Sequence, residues 1–220
     1  MAKRKSAKKY YFSVEGETEQ WYLFWLRDMI NNTEEAAFKV AIDCKIEKDP
    51  LKRAKGLIVT GKTDVYHFSD YESDEDYHVK QFTDAMDRMK QAMLLGKQIT
   101  YKFGYSNFAF DLWIILHKSD CYRSLEHRKH YLPNINRAFE EHFESMDEYK
   151  HEDNFKRCLA KLSLDDVRKA IERSEHIMKQ NEQRGYVLQR YKGFTYYKEN
   201  PSLAVWEVIK LILTDCKLLG

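Results

Sequence analysis

With 220 residues, 43% of them apolar and 14% aromatic, the chain can bury one good core and is too hydrophobic to be disordered. A third of its residues are charged, yet the formal net charge is only +2, so partners must be sought in how charge is distributed rather than in its sum. No apolar run approaches the length of a membrane span, and the basic start MAKRKSAKKYYF lacks the apolar segment and cleavage site of a signal peptide; the chain reads as cytoplasmic.

Residues 1–9, five of them Lys or Arg, read as a basic flexible tail suited to touching nucleic acid. Residues 10–14 of the stretch YYFSVEGETEQWYLFWL then read as a short strand, with Gly16 expected to allow a tight turn. Thr18 is expected to cap a helix whose apolar positions are Trp21, Tyr22, Trp25, Leu26 and Met29. FKVAIDCKI, residues 38–46, reads as a second strand. Pro50 suits the start of a helix carrying Leu51, Ala54, Leu57 and Ile58. DVYHFSD, residues 64–70, reads as a third strand. Ser73 to Asp76 has capping-box spacing ahead of the stripe Phe82, Ala85, Met86, Met89 and Met93, and Gly96 closes that helix. QITYKFGY reads as a fourth strand, and SNFAFDLWIILH as a helix with Phe110, Trp113, Ile114 and His117 on one side. Alternating strands and helices predict a mostly parallel four-stranded sheet flanked by helices, an α/β core over residues 10–120.

Residues 121–220 read as a helical extension packed on that core, with Ser163 and Asp166 capping one helix and Ser202 capping the last. The four cysteines are widely scattered without a C-x-x-C pair, so buried free thiols are expected rather than a metal knot or a disulfide framework. No G-x-x-x-x-G-K-[ST] loop is present, so ATP hydrolysis is not expected of this chain.

In an open parallel sheet, ligands bind outside the carboxyl ends of the strands. Glu15 and Glu19 follow the first predicted strand, Asp70 and Glu72 the third, and Ser106, Asn107 and Asp111 the fourth. Three segments distant in sequence thus deliver oxygen ligands to one edge of one sheet, the pattern a hard cation such as magnesium requires. One or two such ions, with magnesium replaceable by manganese, would turn mutual repulsion into attraction and bind a phosphodiester. Each segment also has a structural alternative. Glu19 suits the first turn of a helix, residues 70–76 an acidic turn, Ser106–Asn107 a cap, and His117 a hydrogen-bonded core position.

At these residues the sequence resembles the RloB family, which includes the AbiL-ii type of abortive-infection proteins and is related to Toprim domains. VEGETEQWYLFWL resembles the family's E-G-x-x-E after a strand, and VYHFSDYESDED stands where a Toprim domain carries D-x-D. YSNFAFDLWIILH is similar to S-N-P-x-F-E-x-W-x-x-x-H, and ENPSLAVWEVIKLI to the closing N-P-S and helix. Three positions depart from these patterns. Glu72 stands for the second Asp, Phe108 for the proline, and Asp111 for the glutamate, so a carboxylate is kept at each acidic position.

The resemblance implies a Toprim-like fold and a magnesium-dependent nuclease acting in anti-phage defence on RNA, tRNA among them, or DNA, beside an ATPase partner. It implies Glu15, Asp70 and Glu72 as catalytic residues, Glu19 and Asp111 as further metal ligands, and Ser106 and Asn107 as positioning residues. Lys62, Lys97, Lys102 and Lys118 lie near enough in the expected topology to supply a cation. Two other readings use the same residues: a non-catalytic nucleic-acid-binding or regulatory subunit, and a nucleotidyl or phosphoryl transferase.

Overall fold

The computed structural model describes residues 5–219, so residues 1–4 of the expected basic tail lie outside the described residues. The rest of that tail is not a tail, since the first strand already begins at Ala7. The N-terminal half reads β1 (Ala7–Val14), α1 (Glu17–Asn31), β2 (Lys39–Ile46), α2 (Pro50–Gly56), β3 (Thr63–Asp70), α3 (Asp76–Met93), β4 (Ile99–Asn107) and α4 (Asp111–Leu116). A 3-10 turn (Arg128–Tyr131) leads into α5 (Leu132–Phe139), α6 (Met146–Tyr149), α7 (Glu152–Ala160) and α8 (Leu164–Gln183). The chain closes with the hairpin β5 (Gln189–Tyr191) and β6 (Phe194–Tyr196), then β7 (Ser202–Leu203) and α9 (Val205–Asp215). No helix of the described residues is long and apolar enough to cross a membrane.

Strands β2, β1, β3 and β4 lie side by side in that order, all parallel, and β7 pairs antiparallel beyond β4. Among the described residues the main sheet therefore has five strands, not the four expected. The fifth is only two residues long, too short for any alternation to register. The C-terminal half is likewise not purely helical: it contributes β7 and the hairpin.

The expected helix ends are corrected in three places. Gly16, not Thr18, precedes α1, and Thr18 inside the helix donates to Glu19 Oε2. Gly16 has an extended backbone; its lack of a side chain matters because a Cβ would meet Glu19 Oε2 at 3.2 Å. Ser73 Oγ faces His78 Nδ1 at 2.7 Å rather than forming a capping box. Ser202 pairs with Asn107 in the sheet, and the last helix starts at Val205. By contrast, Pro50 opens α2 behind the Asp49 cap, and Ser163 and Asp166 form the reciprocal box ahead of α8.

Alternation of side chains along each strand sorts the sheet into two faces. Tyr10, Phe12, Val14, Tyr66 and Phe68 pack against α1, α4 and the helices of the C-terminal half. Val65, Tyr101 and Tyr105 pack against α2, α3 and the hairpin. Each large side chain buried here contributes roughly 1.5–3 kcal/mol of transfer free energy, so both faces are needed to hold the sheet. Arg53 on α2 ties the sheet's edge together, donating to Phe12 O and Asp43 O and pairing with Asp43 Oδ1 at 2.6 Å. All four cysteines are free.

Helix α9 approaches β4 at Gly104, where a Cβ would lie 2.7 Å from the Phe68 ring and 3.3 Å from the Val205 backbone. Gly104→Ala is therefore expected to destabilise the fold by about 1–3 kcal/mol, the cost of overpacking a filled core, read as a lower urea midpoint with unchanged m.

Candidate metal centre

The chain leaves β1 through α1 to reach β2 on one side, then returns through α2 to reach β3 on the other. That reversal splits the helices between the two faces and opens a crevice at the carboxyl ends of β1 and β3, the switch point where ligands of such sheets bind. A cleft of about 320 Å³ lies there, walled by Glu15, Asp70 and Glu72 and by His78, Phe82 and Arg88 of α3, with Lys48 and Asp49 across from them.

Glu15 follows the last residue of β1, and its Oε1 accepts a 2.6 Å hydrogen bond from Ser69 Oγ of β3. Loss of solvent, the charges of Glu19 and Glu72, and only partial relief from Ser69 and Lys48 push its carboxyl up to about 7. Asp70 is the last residue of β3. Desolvation and the charges of Glu19 and Glu15 hold it well above the usual carboxylate range, with Lys150 acting in the opposite sense. Among the described residues Asp70 has no salt-bridge partner, since Arg128 goes to Glu72 and Lys150 to Asp111.

Glu72 carries a left-handed backbone, φ 61°, unusual for a residue with a Cβ. Its amide donates to Phe108 O at 2.9 Å, which fixes the turn against the end of β4. Its carboxylate meets His78 Nε2 at 2.8 Å and Arg128 at 3.3 Å.

Glu19 and Asp111 stand behind this outer set, on the first turns of α1 and α4, and both are buried. Burial pushes Glu19 upward as well. Asp111 Oδ2 accepts no well-aligned hydrogen bond, yet Lys150 Nζ sits 3.0 Å away. Lys150 ends α6, an element whose sequence carried no signal of a site. The neighbouring carboxylates, Asp111 foremost, raise its pKa and keep it a cation.

Ser106 is paired in register with Asp70, and its buried Oγ has no hydrogen-bond partner among the described residues. Asn107 donates through Nδ2 to Lys198 O at 2.7 Å, while its buried Oδ1 has no partner among the described residues.

None of the four lysines expected to serve the site reaches it. Lys97 caps the end of α2 through Ala54 O, Lys55 O and Leu57 O, and Lys118 pairs with Asp166. Lys102 is exposed in mid-strand, and Lys62 lies at the opposite end of the sheet. His117 is a core residue: Nδ1–H donates to Trp113 O, Nε2 accepts from Tyr22, and burial lowers its pKa to about 4.

Among the described residues no three His, Cys, Asp or Glu side chains already close on one point as a metal shell. Glu15, Glu19, Glu72 and Asp111 each turn instead to a local hydroxyl or cation. The donor set nevertheless fits a hard divalent ion: oxygen ligands only, raised pKa values on Glu15 and Asp70, and, among the described residues, unpartnered buried oxygens on Ser106 and Asn107. A family model described as RloB-like protein matches residues 10–212, a span that includes every carboxylate above and Lys150. No curated protein and no solved structure matches the chain.

The raised Glu15 pKa sets the sign of a pH effect. Between 4.5, its ordinary value, and about 7 the folded chain holds a proton that the unfolded chain has released. Stability of the metal-free chain is therefore full below 4.5 and falls as pH rises through 7, by on the order of 3 kcal/mol if Glu15 acts alone. Glu15→Gln flattens that slope in urea unfolding with chelator at pH 5 to 8.

Proposed function

The chain belongs to the RloB-like family, and from that premise together with the Glu15–Asp70–Glu72 cleft we propose that it is a Toprim-type, magnesium-dependent nuclease. It hydrolyses RNA or DNA in the cytoplasm as an effector of anti-phage abortive infection, under the control of an ATPase partner. The observation that carries this reading is Asp70, a desolvated carboxylate that meets the charges of Glu15, Glu19 and Asp111 and, among the described residues, has no salt-bridge partner. Support for a Toprim-like core comes from the motif positions: the acids of E-x-x-x-E follow β1, and the first acid of the D-x-D position ends β3.

Glu15, Asp70 and Glu72 would hold the ion, magnesium or manganese, with Glu19 and Asp111 behind them. A bound magnesium supplies Lewis acidity, polarising a phosphoryl oxygen and easing the deprotonation of water. Ser69 keeps Glu15 oriented through its 2.6 Å hydrogen bond. Burial and the neighbouring acids push the Glu15 carboxyl up to about 7, and a bound cation would favour its carboxylate form. Lys48 and Arg88 on the cleft wall and exposed Arg128 at its mouth offer charge to a phosphate backbone. Ser106, in register with Asp70, and Asn107 beside it would position a phosphate or a ligand side chain at the end of β4.

One observation favours the non-catalytic reading: Lys150 and Arg128 already neutralise part of the acidic set. A single experiment separates the two. Glu15→Gln and Asp70→Asn are expected to abolish phage protection. Both should also lower magnesium-dependent cleavage of RNA or DNA by at least roughly 100-fold, the upper end of what disturbing a ligand's support costs. Protection and cleavage both unchanged, in variants with wild-type circular dichroism, would overturn the nuclease reading.

A further inference from the structure

The acidic set has two halves that share Asp70. The outer half, Glu15, Asp70 and Glu72, opens on the cleft. The inner half, Glu19, Asp70 and Asp111, is met by Lys150, the residue that follows α6. There Lys150 Nζ lies 3.0 Å from Asp111 Oδ2, and its charge also acts on Asp70 and Glu19.

Lys150 is half-buried, its side chain keeping 38% of its accessible surface, and the chain beneath it is fixed. The preceding residue, Tyr149, is fully buried, with its ring against Phe143 and Phe155. That packing pins the backbone from which the lysine reaches inward. The buried Tyr149 hydroxyl has no hydrogen-bond partner and lies close enough to Asp111 to feel its charge. The inner half is thus built around a cation that the chain itself provides.

A two-ion phosphodiester centre holds its ions about 3.5–4 Å apart on shared carboxylates. Here a second ion would have to use Glu19, Asp70 and Asp111, where the ammonium already stands. An ammonium and a divalent cation cannot occupy the same carboxylate lone pairs, and their repulsion in a desolvated site is strong.

Resting on the metal reading above, we propose that Lys150 takes the place of a second metal ion. The chain then binds one divalent cation, on Glu15, Asp70 and Glu72, and Asp111 anchors the lysine rather than the metal. Arg128 and His78 release Glu72 when the ion enters, whereas Lys150 stays.

The test is a titration of the full chain with Mn2+, followed by loss of the free-ion electron paramagnetic resonance signal. One ion per chain is expected for the wild type and for Lys150→Arg, and two for Lys150→Met, which empties the inner half. Asp111→Asn is expected to keep the single ion, with an affinity change well inside the roughly tenfold cost of disturbing a ligand. Two ions in the wild type, or loss of the ion in Asp111→Asn, would overturn the role of Lys150 and leave the metal reading standing. No ion in the wild type at millimolar Mn2+ would overturn the metal reading itself, and this inference with it. Should Lys150→Met fail to fold by circular dichroism, the wild-type and Asp111→Asn titrations decide the question alone.

Discussion

Mutual repulsion among desolvated carboxylates is the constraint around which one end of this molecule is arranged. Glu15, Glu19 and Asp70 are each held above the normal carboxylate range, driven there first by burial and then by neighbouring acids: Glu19 and Glu72 act on Glu15, Asp111 on Glu19, and Glu19, Glu15 and Asp111 on Asp70. Such a set lowers stability at neutral pH in the absence of a counter-charge, and apolar side chains would fill the same space at less cost. Ser69, Thr18 and Lys150 relieve it in part, one carboxylate each, and Asp70 at the centre receives none of them directly. A fold that keeps this arrangement keeps a place for positive charge.

The rest of the architecture can be followed from that place outward. Parallel strands bring β1 and β3 together with their carboxyl ends aligned, and the reversal of strand order beside β1 leaves a crevice between helices on opposite faces. Gly16 lets Glu19 fold back against the end of β1. The left-handed backbone at Glu72 turns the chain after Asp70 so that a second acid faces the same cleft. From the C-terminal half, α6 contributes Lys150, while β7 and α9 close the sheet behind β4. The two halves of the chain therefore share both the sheet and the acidic centre.

Much of this was legible in the residues. Strands β1 to β4 and their helices follow from aromatic and β-branched runs, helical stripes and the Pro50 and Ser163 starts. The meeting of Glu15 and Asp70 follows from parallel topology, whereas Glu72 reaches the same cleft only through its left-handed backbone. What escaped has physical reasons. A two-residue strand such as β7 has no periodicity to read, and Ser202 there looks like any helix cap. Thr18 has the chemistry of a cap, but the close fit of Glu19 against Gly16 starts the helix one residue before it. Lys150 was invisible because a lysine after a four-residue helix, among the charges of DEYKHED, reads as solvated surface. Only the packing of Tyr149 turns it inward. Of the four lysines merely nearby in the expected topology, Lys97 serves a helix end and Lys118 an ion pair, while Lys102 is exposed in mid-strand and Lys62 lies at the other end of the sheet.

The claim that the acidic centre exists to hold a divalent cation is tested most directly by the melting temperature of the full chain as Mg2+ is raised from zero in chelated buffer. A ligand that binds only the folded state stabilises it in proportion to the logarithm of its concentration above Kd. The arrangement described here predicts a melting temperature that climbs with Mg2+ in the wild type and stays flat in a Glu15→Gln/Asp70→Asn double variant. A wild-type melting temperature indifferent to both Mg2+ and Mn2+, or an equal rise in the double variant, would contradict it.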